Sequence, residues 1–264
     1  MHFDLLYLST IKGMNIIMIT YIYDNSFEGL LTSIYDSYYN KPAPGKIACK
    51  QEYVPDLLSE TVHIKTDSSK SQKVYNAINC KISHDALIYV FYAYLSDSIG
   101  AANIIYKYVR LGFKLKKEVD MHLYDDRVIA IHALYRKVSK EAHNMEGFAR
   151  FKCVRNNFYY SCIEPDHNIC GLIAPHFVSR FCSQNFIIHD VKREIAVLYN
   201  TKEYIIIPFS KDDGLKLTSN AEDTIYESLW KEYFVWTDIE SRKNIRLQKR
   251  LMPKRYWKYL TEMH

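Results

Sequence analysis

The stretch EAHNMEGFARFKCVRNNFYYSCIEPDHNICGLIAPHFVSRFCSQNFIIHDVKR, residues 141–193, decides the fold of the surrounding chain. Past Gly147 the apolar residues change from the helical period of 3.6 to the strand period of 2. FARFKCV and NFYYSCI, on either side of Arg155 and Asn156, predict an antiparallel hairpin, and EPDHN predicts the turn that leaves it. Pro175 is typical of the first turn of a helix, so one short helix is predicted to follow.

The segments after this stretch extend the sheet. NFIIHD, REIAVLY and EYIIIPF predict a three-stranded meander with tight turns at Val191 and Thr201. The centre of the chain is therefore predicted to be a small, mostly antiparallel sheet with one packed helix.

The chain before residue 141 is predicted to be mainly helical. ITYIY at 19–23 predicts a strand, and Asp24, Asn25 and Ser26 predict a turn that caps the next helix. ETVHIKT at 60–66 predicts a second strand. Apolar residues at helical spacing predict further helices, over 70–82, 84–97, 99–113 and 126–143.

The chain after the sheet is predicted to be helical and basic. A polar loop at 210–220 precedes a helix over 222–235, and Thr237 with Glu240 forms a capping-box pattern for a last long helix. Residues 241–264 carry eight Lys or Arg and a single acidic residue, Glu262. On the predicted helix, one cationic stripe is formed by Arg242, Arg246, Lys249 and Arg250. Pro253 ends that helix, and the residues after it mix cations with aromatic rings.

The fold class predicted from these patterns is α+β, with a helical N-terminal half, the small central sheet and a helical basic C-terminus. Residues 1–17 carry little pattern and are predicted to be an extension. Residues 18–264 are predicted to form one domain, with a helix-rich part at 18–145, a sheet part at 146–210 and a basic tail at 221–264.

Composition limits the class of protein. Hydrophobic residues make up 48% of the 264 residues, the net charge is +5, and no apolar run approaches the roughly 18 residues that a membrane span needs. The six cysteines form no C-x-x-C pair and no signal peptide precedes them, so a reduced cytoplasmic location is expected. The spacing of Cys170, His176 and Cys182 matches no zinc pattern, and neither a metal nor a cofactor is predicted.

Acid and base side chains are concentrated in the central stretch. The candidates for proton transfer or metal ligation are His143, Glu164, Asp166, His176, His189 and Asp190. The alternative is structural, with Glu164 and Asp166 capping the helix after Pro165 and the histidines packed in the core.

The basic residues also carry two interpretations. Arg150, Arg180 and Arg193 either bind phosphate or form ion pairs with Glu141, Glu164 and Asp190. In the tail, Arg242, Arg246, Lys249, Arg250, Lys254, Arg255 and Trp257 either contact nucleic acid or belong to a solvated helix face. In that second case Tyr256 and Trp257 anchor the terminus in the core.

Several separated segments carry a resemblance to a known family. They are YIYDNSFEGLLTSIYDSY, EAHNMEGFARF, IEPDHN, APHFVSRF, IIHDVKR and MPKRYWKYL. Together, in this order from about residue 18 onward, they resemble the bacterial family labelled "probable DNA metabolism protein". That resemblance implies a radical-SAM protein of DNA modification or repair as a partner. The same domain is similar to one found fused to uracil-DNA-glycosylase-like proteins.

The chain departs from that family at two points. Asn25 stands where the family often has Gly in a D-G-S turn, and Asn also accepts a positive φ. The chain contains no C-x-x-x-C-x-x-C run for a radical-SAM cluster and none of the glycosylase motifs. Chemistry of either kind is therefore expected on a partner.

The function predicted from these observations is a nucleic-acid-associated role in DNA metabolism or repair, together with a radical-SAM partner. DNA, single-stranded DNA included, is an expected partner, and the sequence leaves RNA open as the alternative polymer. The alternatives are a hydrolytic or metal-assisted enzyme that uses the central His and carboxylate groups, and an adaptor that binds only proteins.

Overall fold

A computed structural model describes residues 18–40, 43–55, 59–155, 158–219 and 225–263. The predicted extension at 1–17 lies outside the described residues. The chain divides into two compact units, and in the described part the first comprises residues 18–94 and 98–131. The second comprises Leu95–Asp97 and the residues from His132 onward. The α+β class is confirmed, because helices occur together with two small sheets.

The first unit contains a three-stranded sheet and helices. Its described elements are β1 (Met18–Tyr23), α1 (Phe27–Tyr39), β2 (Lys46–Cys49), β3 (Ser59–His63), α2 (Ser68–Ala77), α3 (His84–Leu95), α4 (Ala101–Leu115) and the start of α5 (Asp126–Phe148). The strand order is β2-β1-β3, and both pairings are parallel. The predicted helices are confirmed with shifted ends, whereas β2 was not predicted.

The turn before α1 forms as the sequence predicts. Asn25 takes a φ of 68°, and the side-chain oxygen of Ser26 accepts a hydrogen bond from the N–H of Gly29 at 2.9 Å. Asp67 caps α2 in the same way, through the N–H of Lys70 at 3.0 Å. Both helices therefore begin where a short polar side chain satisfies a free backbone N–H.

The second unit is built on a five-stranded sheet. Its described elements after α5 are β4 (Phe151–Arg155), β5 (Phe158–Ile163), α6 (Cys170–Arg180), β6 (Asn185–Asp190), β7 (Ile195–Tyr199), β8 (Tyr204–Pro208), α7 (Lys211–Thr218), α8 (Ile225–Thr237) and α9 (Ile245–Leu251). The strands follow their chain order, and only the pairing of β5 with β6 is parallel. The predicted hairpin, meander and mostly antiparallel sheet are confirmed.

The two faces of this sheet carry different side chains. Tyr159 pairs with Phe186 and Tyr160 with Ile187, so alternation places these two pairs on opposite faces. Phe177 of α6 belongs to the aromatic cluster around Phe186. Leu217 of α7 packs against the cluster that contains Tyr160 and Ile187. The sheet therefore lies between α6 and α7.

Two local predictions next to the sheet are wrong. Pro175 lies inside α6, which already begins at Cys170, and does not open the helix. The predicted polar loop at 210–220 contains α7 instead. The side-chain oxygen of Ser210 caps this helix by accepting a hydrogen bond from the N–H of Asp213 at 3.2 Å. Acidic residues in the first turn stabilise the helix further, because they lie at the positive end of its dipole.

None of the described helices combines the length and the apolar character needed to cross a bilayer.

Candidate nucleic-acid interface and polar centre

The carboxylate of Glu141 on α5 organises the polar centre of the second unit. It is buried, and its two oxygens accept hydrogen bonds from the backbone N–H groups of Asp166 and His167, each at 2.8 Å. The hydroxyl of Tyr256 donates to the same carboxylate. One acidic side chain thus joins α5, the segment after β5 and the end of the chain.

The segment after α9 supplies cations to the acidic residues that follow β5. Arg255 forms an ion pair with Asp166 at 2.7 Å. Lys258 pairs with Glu164, and the hydroxyl of Tyr259 donates to Glu164 at 2.7 Å. The hydrogen bond from Lys258 is the main reason that the pKa of Glu164 is lowered. Glu164 and Asp166 therefore hold the end of the chain in place rather than capping a helix.

Arg150 forms a second contact with the last residues of the chain, an ion pair with Glu262. Its guanidinium binds both oxygens of Glu262, at 3.2 and 2.7 Å, and the indole N–H of Trp230 donates to Glu262 at 3.0 Å. Burial opposes ionisation of Glu262, but the hydrogen bonds from Arg150 and Trp230 outweigh it, and the pKa of this carboxyl is lowered. Arg150 thus pairs with an acid that lies 112 residues away.

Arg193 is the most enclosed of the predicted phosphate ligands. It binds Asp190 and Asp97, each at 2.7 Å, and donates to the carbonyl oxygens of Pro165 and Asp166 at 3.2 and 2.6 Å. The side chain of Asp190 is fully buried. Arg193 is therefore an ion-pair residue rather than a free phosphate ligand, because its guanidinium N–H groups already bind acceptors within the protein.

His189 is a core residue that lies against α7. Only 1% of it is exposed, and its Nδ1 lies 2.7 Å from the hydroxyl oxygen of Tyr160. Its Nε2 has no hydrogen-bond partner among the described residues. Burial is the main cause of its lowered pKa, so the neutral imidazole is favoured.

The other two candidate histidines lie beside Glu146. The Nδ1 atoms of His143 and His176 lie 3.6 and 3.9 Å from a Glu146 oxygen, and both rings are accessible to solvent. The six acid and base candidates thus do not meet in one site, because His143 and His176 lie beside Glu146 and the other four have different partners. Across the described ranges, no three His, Cys, Asp or Glu side chains are grouped closely enough to hold a metal ion. All six cysteines are free thiols, and Cys170 is buried whereas Cys182 is exposed.

His189→Ala should lower the free energy of unfolding by about 2–4 kcal/mol, because it removes a buried ring and leaves a cavity. His176→Ala is the matched control, and its exposed ring should change stability by less than about 0.5 kcal/mol. Urea denaturation followed by circular dichroism measures both variants.

The His189 effect should also depend on pH. The pKa of His189 is lower in the folded protein than in the unfolded chain, so the unfolded chain binds the proton first as pH falls below about 6.5. Wild-type stability is lost over that range, and the gap between wild type and His189→Ala should narrow. A gap that stays constant from pH 7 to pH 5 would contradict this account.

The basic residues of the tail do not share one helix, so the predicted stripe is wrong in part. Arg242 lies in a 3₁₀ turn (Glu240–Arg242), and α9 begins after the cap residue Asn244. The N–H of Leu247 donates to the Asn244 side chain at 2.9 Å. A local cap close to the cations thus replaces the one predicted at Thr237.

We define the basic arm as residues 242–254. Its cations that form no ion pair within the described chain are Arg242, Arg246, Lys249, Arg250 and Lys254. All of them are exposed. Lys243 differs, because it pairs with Asp238 at 2.8 Å and with Glu240 at 2.9 Å.

The arm is followed by the segment that anchors it. Tyr256 and Leu260 are buried, with 4% and 0% exposure. Trp257 is partly buried, its indole N–H donates to the carbonyl oxygen of Met252 at 2.9 Å, and Lys254 lies over its ring. Tyr256 thus anchors the terminus in the core, as the solvated-helix interpretation of the tail predicts. Trp257 instead contacts Met252 and Lys254 of the arm.

Helix α8 carries exposed apolar side chains. Leu229 and Trp230 are 51% and 40% exposed, and Trp236 is 86% exposed. Helical spacing reveals which residues share a face, but it does not show whether another element covers that face.

Comparison with known proteins identifies the family of the chain. No curated protein matches the chain. A family model matches residues 100–262, which include the end of the first unit, the five-stranded sheet and the basic arm. The chain therefore belongs to the family of the domain of unknown function DUF4130.

Proposed function

We propose that this protein binds nucleic acid through the basic arm and acts in DNA metabolism or repair. The observation that supports this proposal is the difference between the arm and the remaining tail. Arg255 and Lys258 are held by acidic partners, whereas every cation of the arm except Lys243 is exposed without an ion pair in the described chain. A phosphate backbone is the polyanion that several neighbouring cations can neutralise together.

The state of each cation decides how much it contributes. A cation that is already paired must lose its carboxylate before it binds phosphate, so it adds little to affinity. An unpaired cation releases a condensed counterion from the nucleic acid and adds to the salt dependence of binding. Arg246 and Arg250 are four residues apart on α9, and both are unpaired within the described chain. They are therefore expected to contribute to DNA affinity.

The family resemblance supports a division of labour with a radical-SAM partner. The sequence has no cysteine run for an iron–sulfur cluster, so the radical chemistry is assigned to that partner. In this proposal, the present protein holds the DNA. Co-purification with a radical-SAM protein of DNA modification or repair, with and without DNA, tests the pairing. Association without any DNA binding would support the adaptor alternative instead.

The double variant Arg246→Ala, Arg250→Ala should weaken DNA binding and lower the slope of log K against log salt by about 1.5–2, whatever the base sequence. Titration of labelled single-stranded and double-stranded DNA at several salt concentrations measures this slope. The double variant Arg136→Ala, Lys137→Ala is the matched control, because it removes the same charge from exposed positions on α5.

The two double variants separate local contact from overall charge. An equal loss in both would assign the effect to net charge rather than to the arm. Absence of wild-type binding even at low salt would overturn the proposal.

A further inference from the structure

The second unit contains an aromatic pocket of about 400 Å³. Two segments that carry the family resemblance, EAHNMEGFARF and APHFVSRF, meet there. The lining residues used below are Phe151, Tyr159, Phe177, Phe181, Trp230 and Arg180, together with Glu146. A cavity of this size is at the lower end of the range for small-molecule sites.

One wall of the pocket is a cluster of packed aromatic rings. The ring of Phe151 lies 5.0 Å from that of Phe177 and 4.8 Å from that of Phe181. Tyr159 stacks on Phe181 with an interplanar angle of 19°. Because β4, β5 and α6 hold these rings, a flat ligand would meet a surface that is already in place.

Trp230 of α8 also lines the pocket. It is 40% exposed, and its ring lies 5.7 Å from that of Tyr233. Polar contacts also hold the indole, because Glu262 accepts from its N–H and the guanidinium of Arg150 lies 5.4 Å from the ring centre. An exposed indole held in one orientation is suited to stacking on a planar ligand.

The charges of the lining indicate an anionic group on that ligand. Arg150 is neutralised by Glu262. Arg180 is exposed at the end of α6, and its side chain forms no ion pair or hydrogen bond within the described chain. Its guanidinium can bind phosphate through two parallel hydrogen bonds. The carboxylate of Glu146 can accept a hydrogen bond from an N–H group of a base.

We infer that this pocket takes a single unpaired nucleotide, with the base against the aromatic rings and its phosphate at Arg180. The inference rests on the proposed function and names its substrate class, a base that is unpaired or turned out of a duplex. A paired base inside a duplex cannot enter a pocket of this size without leaving the stack. The arm then supplies affinity for the backbone of either form, and the pocket supplies the preference for single strands.

The first experiment separates base from phosphate. Isothermal titration calorimetry of the full chain uses dAMP, deoxyadenosine, deoxyribose 5-phosphate and inorganic phosphate. dAMP should bind at least about tenfold more tightly than each of the others, because only dAMP has both groups. Inorganic phosphate binding as tightly as dAMP would overturn the inference, and so would no binding of dAMP.

The second experiment uses variants of the pocket. Arg180→Ala and Trp230→Ala should each weaken dAMP binding by about tenfold. Trp236→Ala is the matched control for Trp230, since it removes the same side chain from the same helix outside the pocket. If Trp230→Ala lowers the melting temperature, Trp230→Phe keeps a ring for stacking and should retain most of the affinity. Unchanged dAMP binding in Arg180→Ala and Trp230→Ala would overturn the inference.

The third experiment distinguishes failure of the pocket from failure of the arm. With a twelve-nucleotide strand, Arg180→Ala should weaken single-stranded binding by about tenfold and leave duplex binding unchanged. Arg246→Ala, Arg250→Ala should weaken both. Wild-type DNA binding that pocket variants do not affect overturns the pocket alone. Binding of dAMP that depends on Arg180, without any binding of DNA, supports the pocket and overturns the arm.

Discussion

Arg193→Met should lower the free energy of unfolding by about 3–5 kcal/mol, because it leaves the buried carboxylate of Asp190 without its cation. The lost contacts to Asp97 and to the carbonyl oxygens of Pro165 and Asp166 act in the same direction. Urea denaturation at pH 7 measures the loss. Arg136→Met, at an exposed position without an ion pair in the described chain, should change stability by less than about 0.5 kcal/mol.

The Arg193 effect should depend on pH with a defined sign. Burial raises the pKa of Asp190, and Arg193 opposes that rise. A carboxyl whose pKa is higher in the folded protein binds its proton more readily there, so it costs stability as pH rises above its unfolded value of about 3.9. Removing Arg193 raises that pKa further. The deficit of Arg193→Met should therefore be smallest below about pH 4 and grow toward pH 7. A deficit that does not change with pH would assign the loss to packing instead.

Glu141→Gln should cost about 2–3 kcal/mol, although the two side chains have nearly the same shape. The amide offers one acceptor oxygen where the carboxylate offers two, so one of the partly buried N–H groups of Asp166 and His167 is left without an acceptor. The hydrogen bond from Tyr256 should weaken as well, and the basic segment that follows α9 should become more accessible.

Two measurements test the Glu141 prediction. Urea denaturation gives the stability change, and limited trypsin digestion should cut after Arg255 or Lys258 faster in the variant. Glu232→Gln is the matched control, because Glu232 is exposed on α8 and forms no ion pair in the described chain. Equal digestion rates in wild type and Glu141→Gln would show that Glu141 does not anchor the end of the chain.

The parts of the fold that are determined by residues close together in the sequence could be predicted. The cap at Ser26, the hairpin and the meander all follow from signals within a few residues of each other. The four-residue strand β2 was missed because it is too short to show a period. Residues 211–218 were assigned to a loop because they are polar, whereas Ser210 caps them as a helix.

For the candidate site, the sequence indicates which charged and aromatic residues are present but not which of them contact each other. Arg150 and Arg180 lie in similar motifs, yet one is paired and the other is exposed, because Glu262 reaches Arg150 from a remote part of the chain. Sequence spacing cannot reveal a partner more than a hundred residues away. The aromatic pocket was missed for the same reason, since β4, β5, α6 and α8 each supply part of its wall.

The long-range contacts of Glu141 and Arg150 have a consequence for synthesis on the ribosome. Tyr256 is made 115 residues after Glu141, which corresponds to roughly 6–23 s of translation. During that interval α5 carries a carboxylate that still lacks one of its native donors, and Arg150 lacks Glu262. The polar centre therefore cannot close until Tyr256 and Glu262 have left the ribosome, and the second unit stays incomplete until then.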